Sequence, residues 1–294
     1  MSTISNAPTI LKDFLSYHET VKAHSAKTVD EYFLDLRTFF RYLKRSSGLV
    51  SPDTPWDSIS IADVDLELVG SVSLSEIYDY LIFLSRERQL STASLARKIA
   101  AIRSFYRYLT SKAHLLEENP VQELDSPRMK KTLPRYLTLE ESLALLDAVQ
   151  GKNKERDYCI LMLFLNCGLR ISELVNLNVS DIQDDTIRVL GKGNKERILY
   201  LNDGCKAALE SYLTVRAMLS LQHEPALFVS NRRTRITRAG IHKMVKKYLL
   251  TAGLDASKYS AHKLRHTAAT LMLQNGVDVR TLQEVLGHDH LNTT

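Results

Sequence analysis

The sequence predicts a mainly α-helical protein with a small β-hairpin: a helical bundle over residues 1–115, a basic linker at 116–135, and a mixed α+β domain over 136–294. Three observations carry this reading. Apolar residues recur at helical spacing through the first part of the chain. The stretch NPVQELDSPRMKKTLPRYLT, with three prolines and a run of positive charge, interrupts that periodicity. Beyond it, the short β-type runs TIRVL and ERILYL flank GKGNK, the pattern of a hairpin.

Taken in order, Leu11, Phe14, Leu15 and His18 mark a first helix, and Tyr32, Leu36, Phe39, Phe40 and Leu43 a second, with Ser25 as N-cap and Gly48 as stop. Residues 48–75 are rich in Ser, Pro and Asp and read as a long loop with a short helix near Ile61. A third helix spans Leu74 to Gln89 with Ile77, Leu81 and Leu84 inward. A fourth starts near Ser91 and carries Leu95, Ile99, Ile102 and Tyr106. Its other face presents Arg97, Lys98, Arg103 and Arg107, so the bundle offers one basic side to a duplex. In the second domain, Thr138 and Glu141 form a capping box ahead of Leu145 and Leu146. The apolar helix around Ile160 to Leu165 then ends at Gly168. Ser260 opens a helix that reaches Gly276, with Leu264, Ala268, Leu271 and Met272 inward.

Composition narrows the function classes. With 44% hydrophobic and 25% charged residues, the chain has the profile of a soluble globular protein. No apolar run approaches the roughly 20 residues of a membrane span, and the N-terminus lacks the order of a signal peptide, so a cytoplasmic protein is expected. Cys159, Cys167 and Cys205 are odd in number and form no CxxC, which predicts free thiols. The net charge of +5 is modest, but its distribution is not. Arg128, Lys130, Lys131 and Arg135 crowd the linker, and Arg232, Arg233, Arg235, Arg238, Lys243, Lys246 and Lys247 form a second cluster with no acid among them. Like charges repel unless a polyanion neutralises them, which favours a phosphate backbone as partner over a merely solvated face.

Four segments carry chemistry. In NCGLRISELVNL, Gly168 ends one helix and Ser172 lies near the start of the next, leaving Arg170 in the bend. From there its planar fork can grip an oxyanion, or it can simply pair with Glu173. In SAHKLRHTAATLMLQNG, His262, Arg265 and His266 share one side of the first helical turns. The two histidines also have the spacing of a zinc pair, but Lys263 stands where a zinc hydrolase has its glutamate, and a cation there opposes a metal; none is expected. In LQEVLGHDHLNTT, Gly287 ends a helix and His288 enters the turn. In GKGNK, flanking glycines let Lys192 project from the hairpin tip, where it either solubilises the surface or donates a proton to a leaving oxygen.

CGLRISEL, GKGNKER, HKLRHTAAT and LGH, in that order, closely resemble the catalytic domain of the tyrosine recombinases, nearest to the Xer-type and phage-integrase-like members. The likeness extends back through SPRMKKTLPRYLT to the helical module, which resembles the core-binding DNA-binding domain of that family, and so covers nearly the whole chain. The resemblance implies that a tyrosine attacks a DNA phosphodiester, forms a 3′-phosphotyrosyl link and frees a 5′-hydroxyl; a second 5′-hydroxyl reverses the step without ATP, metal or other cofactor. Arg170 and Arg265 would clamp the non-bridging oxygens, where charge grows in the transition state. Lys192 would protonate the departing 5′-oxygen, His262 would assist the proton transfer or fix the phosphate, and His288 would supply another hydrogen bond. Glu173 could orient an arginine and His266 brace its helix. Lys98, Arg103, Arg128, Lys130, Lys131, Arg232, Arg233, Arg235 and Lys243 are the expected DNA contacts. The expected partners are double-stranded DNA and a homo- or hetero-tetramer of recombinases on two DNA sites.

The family places its tyrosine shortly after the LGH histidine, and no tyrosine follows Tyr259 in these 294 residues. The chain as given is therefore expected to bind DNA without cleaving it, and its own tetramer assembly is in doubt. Two other readings remain: a non-catalytic DNA-binding architectural or regulatory protein on the same fold, and a type IB topoisomerase. The general acid Lys192 argues against the first, and the compact layout with its GKGNKER hairpin against the second. Dimer resolution and mobile-element integration or excision fit the sequence equally.

Overall fold

The spacing of Leu11, Phe14, Leu15 and His18 becomes the buried face of α1 (Thr9–Thr20) in the computed structural model, which describes residues 6–127, 135–191, 195–219, 221 and 224–287. The chain divides into two units, Met1–Lys131 and Thr132–Thr294, each with its own apolar core.

In the first unit, Ser25 caps α2 (Ala26–Ser46) by accepting from the Thr28 N–H, and Gly48 turns the chain away at φ +68°. The segment that follows is better ordered than its composition suggests. No helix forms at Ile61, which is buried in a turn; instead Asp65 caps a short α3 (Leu66–Gly70). Three cations of α2 tie the segment down: Arg41 donates to Asp57 and the Ile59 carbonyl, Lys44 reaches Asp63 and the Ser60 carbonyl, and Arg45 donates to the Thr54 carbonyl. α4 (Leu74–Arg86) starts with a Ser73–Glu76 capping box and buries Ile77, Tyr80 and Leu84, so Tyr80 takes the place expected for Leu81. α5 (Thr92–Ser111), capped by Ser91, buries Ile99, Ile102, Phe105, Tyr106 and Leu109. The core of this unit runs on to Val121 and Leu124, past the compositional boundary at 115.

The second unit is built around α7 (Lys154–Cys167), which buries every residue from Cys159 to Leu165. A helix apolar on all sides needs neighbours on all sides. α6 (Leu139–Asp147), opened by the Thr138–Glu141 capping box, α9 (Asp203–Ala217) and α11 (Ala261–Gln274) supply them. α8 (Ile171–Asn176) follows α7 after a sharp bend, and α10 (Arg238–Thr251) packs against α8, α6 and α11. The predicted hairpin is present as β2 (Thr186–Leu190) and β3 (Glu196–Tyr200), and a two-residue β1 (Ile182–Gln183) extends it to an antiparallel sheet in the order β1-β2-β3. Register pairs Ile187 with Leu199 and Val189 with Arg197, which puts Arg197 on the inward face beside buried Val189. α12 (Val279–Leu286), capped by Asp278, closes against the sheet and α11. The protein is thus mainly helical with one small antiparallel sheet. All three cysteines are free and buried, and among the described residues no helix is long and apolar enough to cross a membrane.

Candidate active site

Gly168 ends α7 in the left-handed region, at φ +57°, and the chain reverses through buried Leu169 into Arg170, the residue before α8. An arginine cannot accept a hydrogen bond, so it does not cap the helix with its side chain. Instead Glu173, one turn in, takes the Arg170 backbone N–H on Oε2 at 2.8 Å and Arg170 Nη1 on Oε1 at 2.7 Å. The local pairing allowed by the sequence is therefore present, and it is only part of the arrangement.

Glu173 is 5% exposed and carries a full charge into the interior. Three guanidinium groups meet it. Arg197 of β3 donates in a fork, Nη1 to Oε1 at 2.9 Å and Nη2 to Oε2 at 2.8 Å. Arg265 of α11, 4% exposed, brings Nη1 to 3.8 Å from Oε2. Burial pushes the Glu173 pKa up, but the hydrogen bonds and charges of Arg197 and Arg170 outweigh it and hold the carboxyl below its ordinary value. Arg265 pays for its position in the opposite sense: burial first, then the neighbouring Arg170 and Arg197, bring its pKa down to about 10, opposed by Glu173. It remains a cation at neutral pH.

The same three arginines hold the end of α12. Arg197 Nε donates to the Val285 carbonyl at 3.0 Å, Arg265 Nη2 to Leu286 at 2.5 Å, and Arg170 Nη2 to Gly287 at 3.1 Å. The last carbonyls of a helix lack partners within it and carry partial negative charge, so cations belong there. Arg265 Nη1 also donates to the Gly168 carbonyl at 2.6 Å. Glycine is required at the two bends: a Cβ on Gly168 would stand 2.6 Å from Leu286 Cδ2, and one on Gly287, at φ +63°, 3.2 Å from the Arg197 guanidinium.

His262 and His266 lie on the first turns of α11 with their rings edge to face, centroids 4.8 Å apart. Partial desolvation lowers the pKa of both. The positive charges of Arg265, Lys263 and Arg170 add to this at His262; at His266 the adjoining His262 ring and the cations Lys263 and Arg265 act in the same direction. Both are therefore neutral imidazoles at neutral pH, able to donate and accept. Arg170, Glu173, Arg265, His262 and His266 thus come together from segments far apart in the chain. Lys192 and His288 lie outside the described residues. Arg197 was not anticipated. Its signal was available in the strand alternation, which puts a charged side chain inward, in step with Leu199.

The expected DNA-facing cations divide into groups. Arg232, Arg233 and Lys243 are exposed, as are Arg238, Lys246 and Lys247 of the same cluster. Arg103 is half-buried and donates to Ser126. Two expectations are corrected. Lys98 is buried against Asp35 at 2.9 Å, its charge consumed within the bundle, and Arg97 closes on the same carboxylate. Arg235 turns inward to the carbonyls of Val175 and Leu177 and to Asn178 Oδ1, tying the chain before α10 to the end of α8. Arg128, Lys130 and Lys131 lie outside the described residues.

A site that gathers arginines and neutral imidazoles beside helix ends has the donors of an anion-binding class of protein, and comparison with known proteins gives the family. Residues 135–294 match the phage integrase family, and residues 11–113 match the N-terminal SAM-like domain of phage integrases. The chain is 52% identical over 288 residues to the tyrosine recombinase XerC of Caldanaerobacter subterraneus subsp. tengcongensis, covering 98% of this chain and 82% of that one. It is 37% identical over 294 residues to XerC of Myxococcus xanthus, covering 97% and 91%. Among solved structures, the XerA recombinase is 29% identical with a TM-score of 0.51, covering 97% of this chain and 91% of that one. The XerH site-specific recombinase bound to its difH substrate shares the fold at a TM-score of 0.68 and 23% identity, covering 96% and 80%. The chain belongs to the phage integrase family, the tyrosine recombinases. Its enzyme class is that of the site-specific recombinases.

Proposed function

We propose that Arg170 and Arg265 grip the scissile phosphate of a DNA duplex while a tyrosine hydroxyl attacks it, leaving a 3′-phosphotyrosyl link and a free 5′-hydroxyl. The observation that carries this is the meeting of both guanidinium groups at one carboxylate, Glu173, 2.7 and 3.8 Å from its oxygens. Two cations that can share one anion inside the fold are spaced to share another, and negative charge growing on the non-bridging oxygens strengthens that hold in the transition state. His262, neutral and accessible, assists proton movement at the phosphate, and His266 braces it. Lys192 protonates the leaving 5′-oxygen and His288 adds a hydrogen bond to the phosphate. Attack by a second strand's 5′-hydroxyl returns the bond energy, so no ATP is needed and no cofactor takes part.

Arg232, Arg233, Lys243 and their neighbours on α10 supply phosphate-backbone contacts, with Arg103 and the basic linker on the side of the first unit. Structures that share the fold include a lambda integrase tetramer bound to a Holliday junction, which supports an assembly of four recombinase subunits, alike or of two kinds, on two DNA sites. The domain organisation is a DNA-gripping helical module whose core reaches Leu124, a short basic linker up to 135, and a catalytic domain from 136. The biological reaction is resolution of chromosome dimers or integration and excision of a mobile element, in the cytoplasm.

The test is covalent trapping. A binding site is selected from random duplexes with this chain. A nicked duplex carrying it is then incubated with the full product of the gene. A detergent-resistant protein–DNA band is expected, reduced about 10²–10³-fold in rate by Arg170→Ala or Arg265→Ala while duplex binding survives. Tight specific binding with no trapped band would overturn the reading in favour of a DNA-binding module without chemistry.

A further inference from the structure

Glu173 presents four acceptor positions, and all are filled. Two take Arg170, through its backbone N–H and Nη1, and two take the fork of Arg197. Arg265 Nη1 stands just beyond, at 3.8 Å, and donates to the Gly168 carbonyl. Removing Arg197 would empty two positions on a buried, fully charged carboxylate next to that guanidinium. An anion with unfilled lone pairs in a low-dielectric interior captures the nearest donor. The nearest is Arg265.

We propose that Arg197 is a positioning residue for strand transfer: by saturating Glu173 it keeps Arg265 and the outer donors of Arg170 from collapsing onto that carboxylate, and so leaves them for the phosphate. The inference rests on the phosphate-clamp reading above. Other geometry fits it. Arg197 is anchored at its own Nε by the Val285 carbonyl, and its guanidinium lies against Gly287, where a Cβ would meet it at 3.2 Å. It is therefore held from three sides, by β3, α8 and the end of α12, and cannot itself swing out to the substrate. Its charge offsets that of Glu173, so the positive charges of Arg170 and Arg265 are both left to meet a phosphodiester.

The role makes Arg197 dispensable once Glu173 loses its charge, which packing alone does not. The rate of covalent trapping at saturating DNA, the DNA affinity and the unfolding midpoint are measured for the full gene product, for Arg197→Ala, for Glu173→Gln and for the double variant. Arg197→Ala is expected to slow trapping roughly 30-fold while DNA affinity stays within about twofold, and the same change made in Glu173→Gln is expected to slow it less than about threefold. Equal losses in both backgrounds, or a loss confined to DNA affinity, would overturn the inference while leaving the clamp standing. A parent protein that traps no DNA would overturn both. Where Arg197→Ala does not fold, Arg197→Lys carries the test. It keeps the charge and the stem but not the fork, so trapping should slow severalfold with Glu173 present and hold steady in Glu173→Gln.

Discussion

Arg265 and Gly168 meet where α7 turns towards α8: the guanidinium donates to the glycine carbonyl at 2.6 Å, and the glycine is left-handed at that point. The bend thus shapes the site twice, by aiming Arg170 and by offering its carbonyl to Arg265. Gly168→Ala adds a strained φ and a methyl group 2.6 Å from Leu286. A destabilisation of about 2–4 kcal/mol is expected in denaturant unfolding, with a fall in trapping rate larger than that in DNA affinity. A substitution neutral in both measurements would mean that α12 retreats freely from the bend.

Lys98 and Asp35 form a buried pair inside the helical unit. Lys98→Ala should lower stability by about 3 kcal/mol, the low end for orphaning a buried charge, because Arg97 stays on the same carboxylate. It should not change the salt dependence of DNA binding. A shallower salt slope in this variant would return Lys98 to the DNA surface.

On the second unit the cations separate by role. Arg232→Ala and Lys243→Ala, both at exposed positions, should weaken binding to all duplexes alike, each reducing the slope of log K against log salt by about 0.9 if it removes one phosphate contact. Arg235→Ala should instead destabilise the fold by about 2–4 kcal/mol, since it strands acceptors at Val175, Leu177 and Asn178. Salt titrations and unfolding curves of the three variants distinguish the outcomes. An unchanged slope for Arg232 and Lys243 would remove them from the interface.

His18 is buried in the first unit, with Nδ1 3.1 Å from His24 Nδ1 and Nε2 3.1 Å from Ser104 Oγ. Burial, then the charges of His24 and Lys22, lower its pKa from 6.5 to about 4. The unfolded chain therefore takes up a proton between those values that the folded chain refuses, and stability falls as pH drops through that window. The unfolding midpoint should decline between pH 6.5 and 4 more steeply in the parent than in His18→Gln. Matching slopes would show that the ring titrates normally in the folded protein.

What the sequence made legible was mostly local. The stripe of Leu11, Phe14, Leu15 and His18, the Thr138–Glu141 box and the β2–β3 hairpin all follow from interactions a few residues apart, or from alternation that neighbours enforce. The short helix expected near Ile61 forms later, as α3, because five residues give periodicity too little to fix its place, although Asp65 was available as a cap. Lys98 was misread because helical spacing places it on the polar edge of α5, while its partner is 63 residues away on α2. At the site, motif order pointed to Arg170, Glu173 and Arg265, which the fold brings together, yet the four-acceptor occupancy of Glu173 is a property of packing. It takes an inward-facing arginine from a strand to complete it; alternation places Arg197 inward but does not name the carboxylate it meets.

The capture of Val285, Leu286 and Gly287 by three different arginines makes the final turn of α12 an all-or-none element. Should that turn fray, three guanidinium groups lose an anchor together, and the pieces brought from α8, β3 and α11 loosen in a single event rather than in sequence. One helix terminus thereby ties together three side chains brought from α8, β3 and α11.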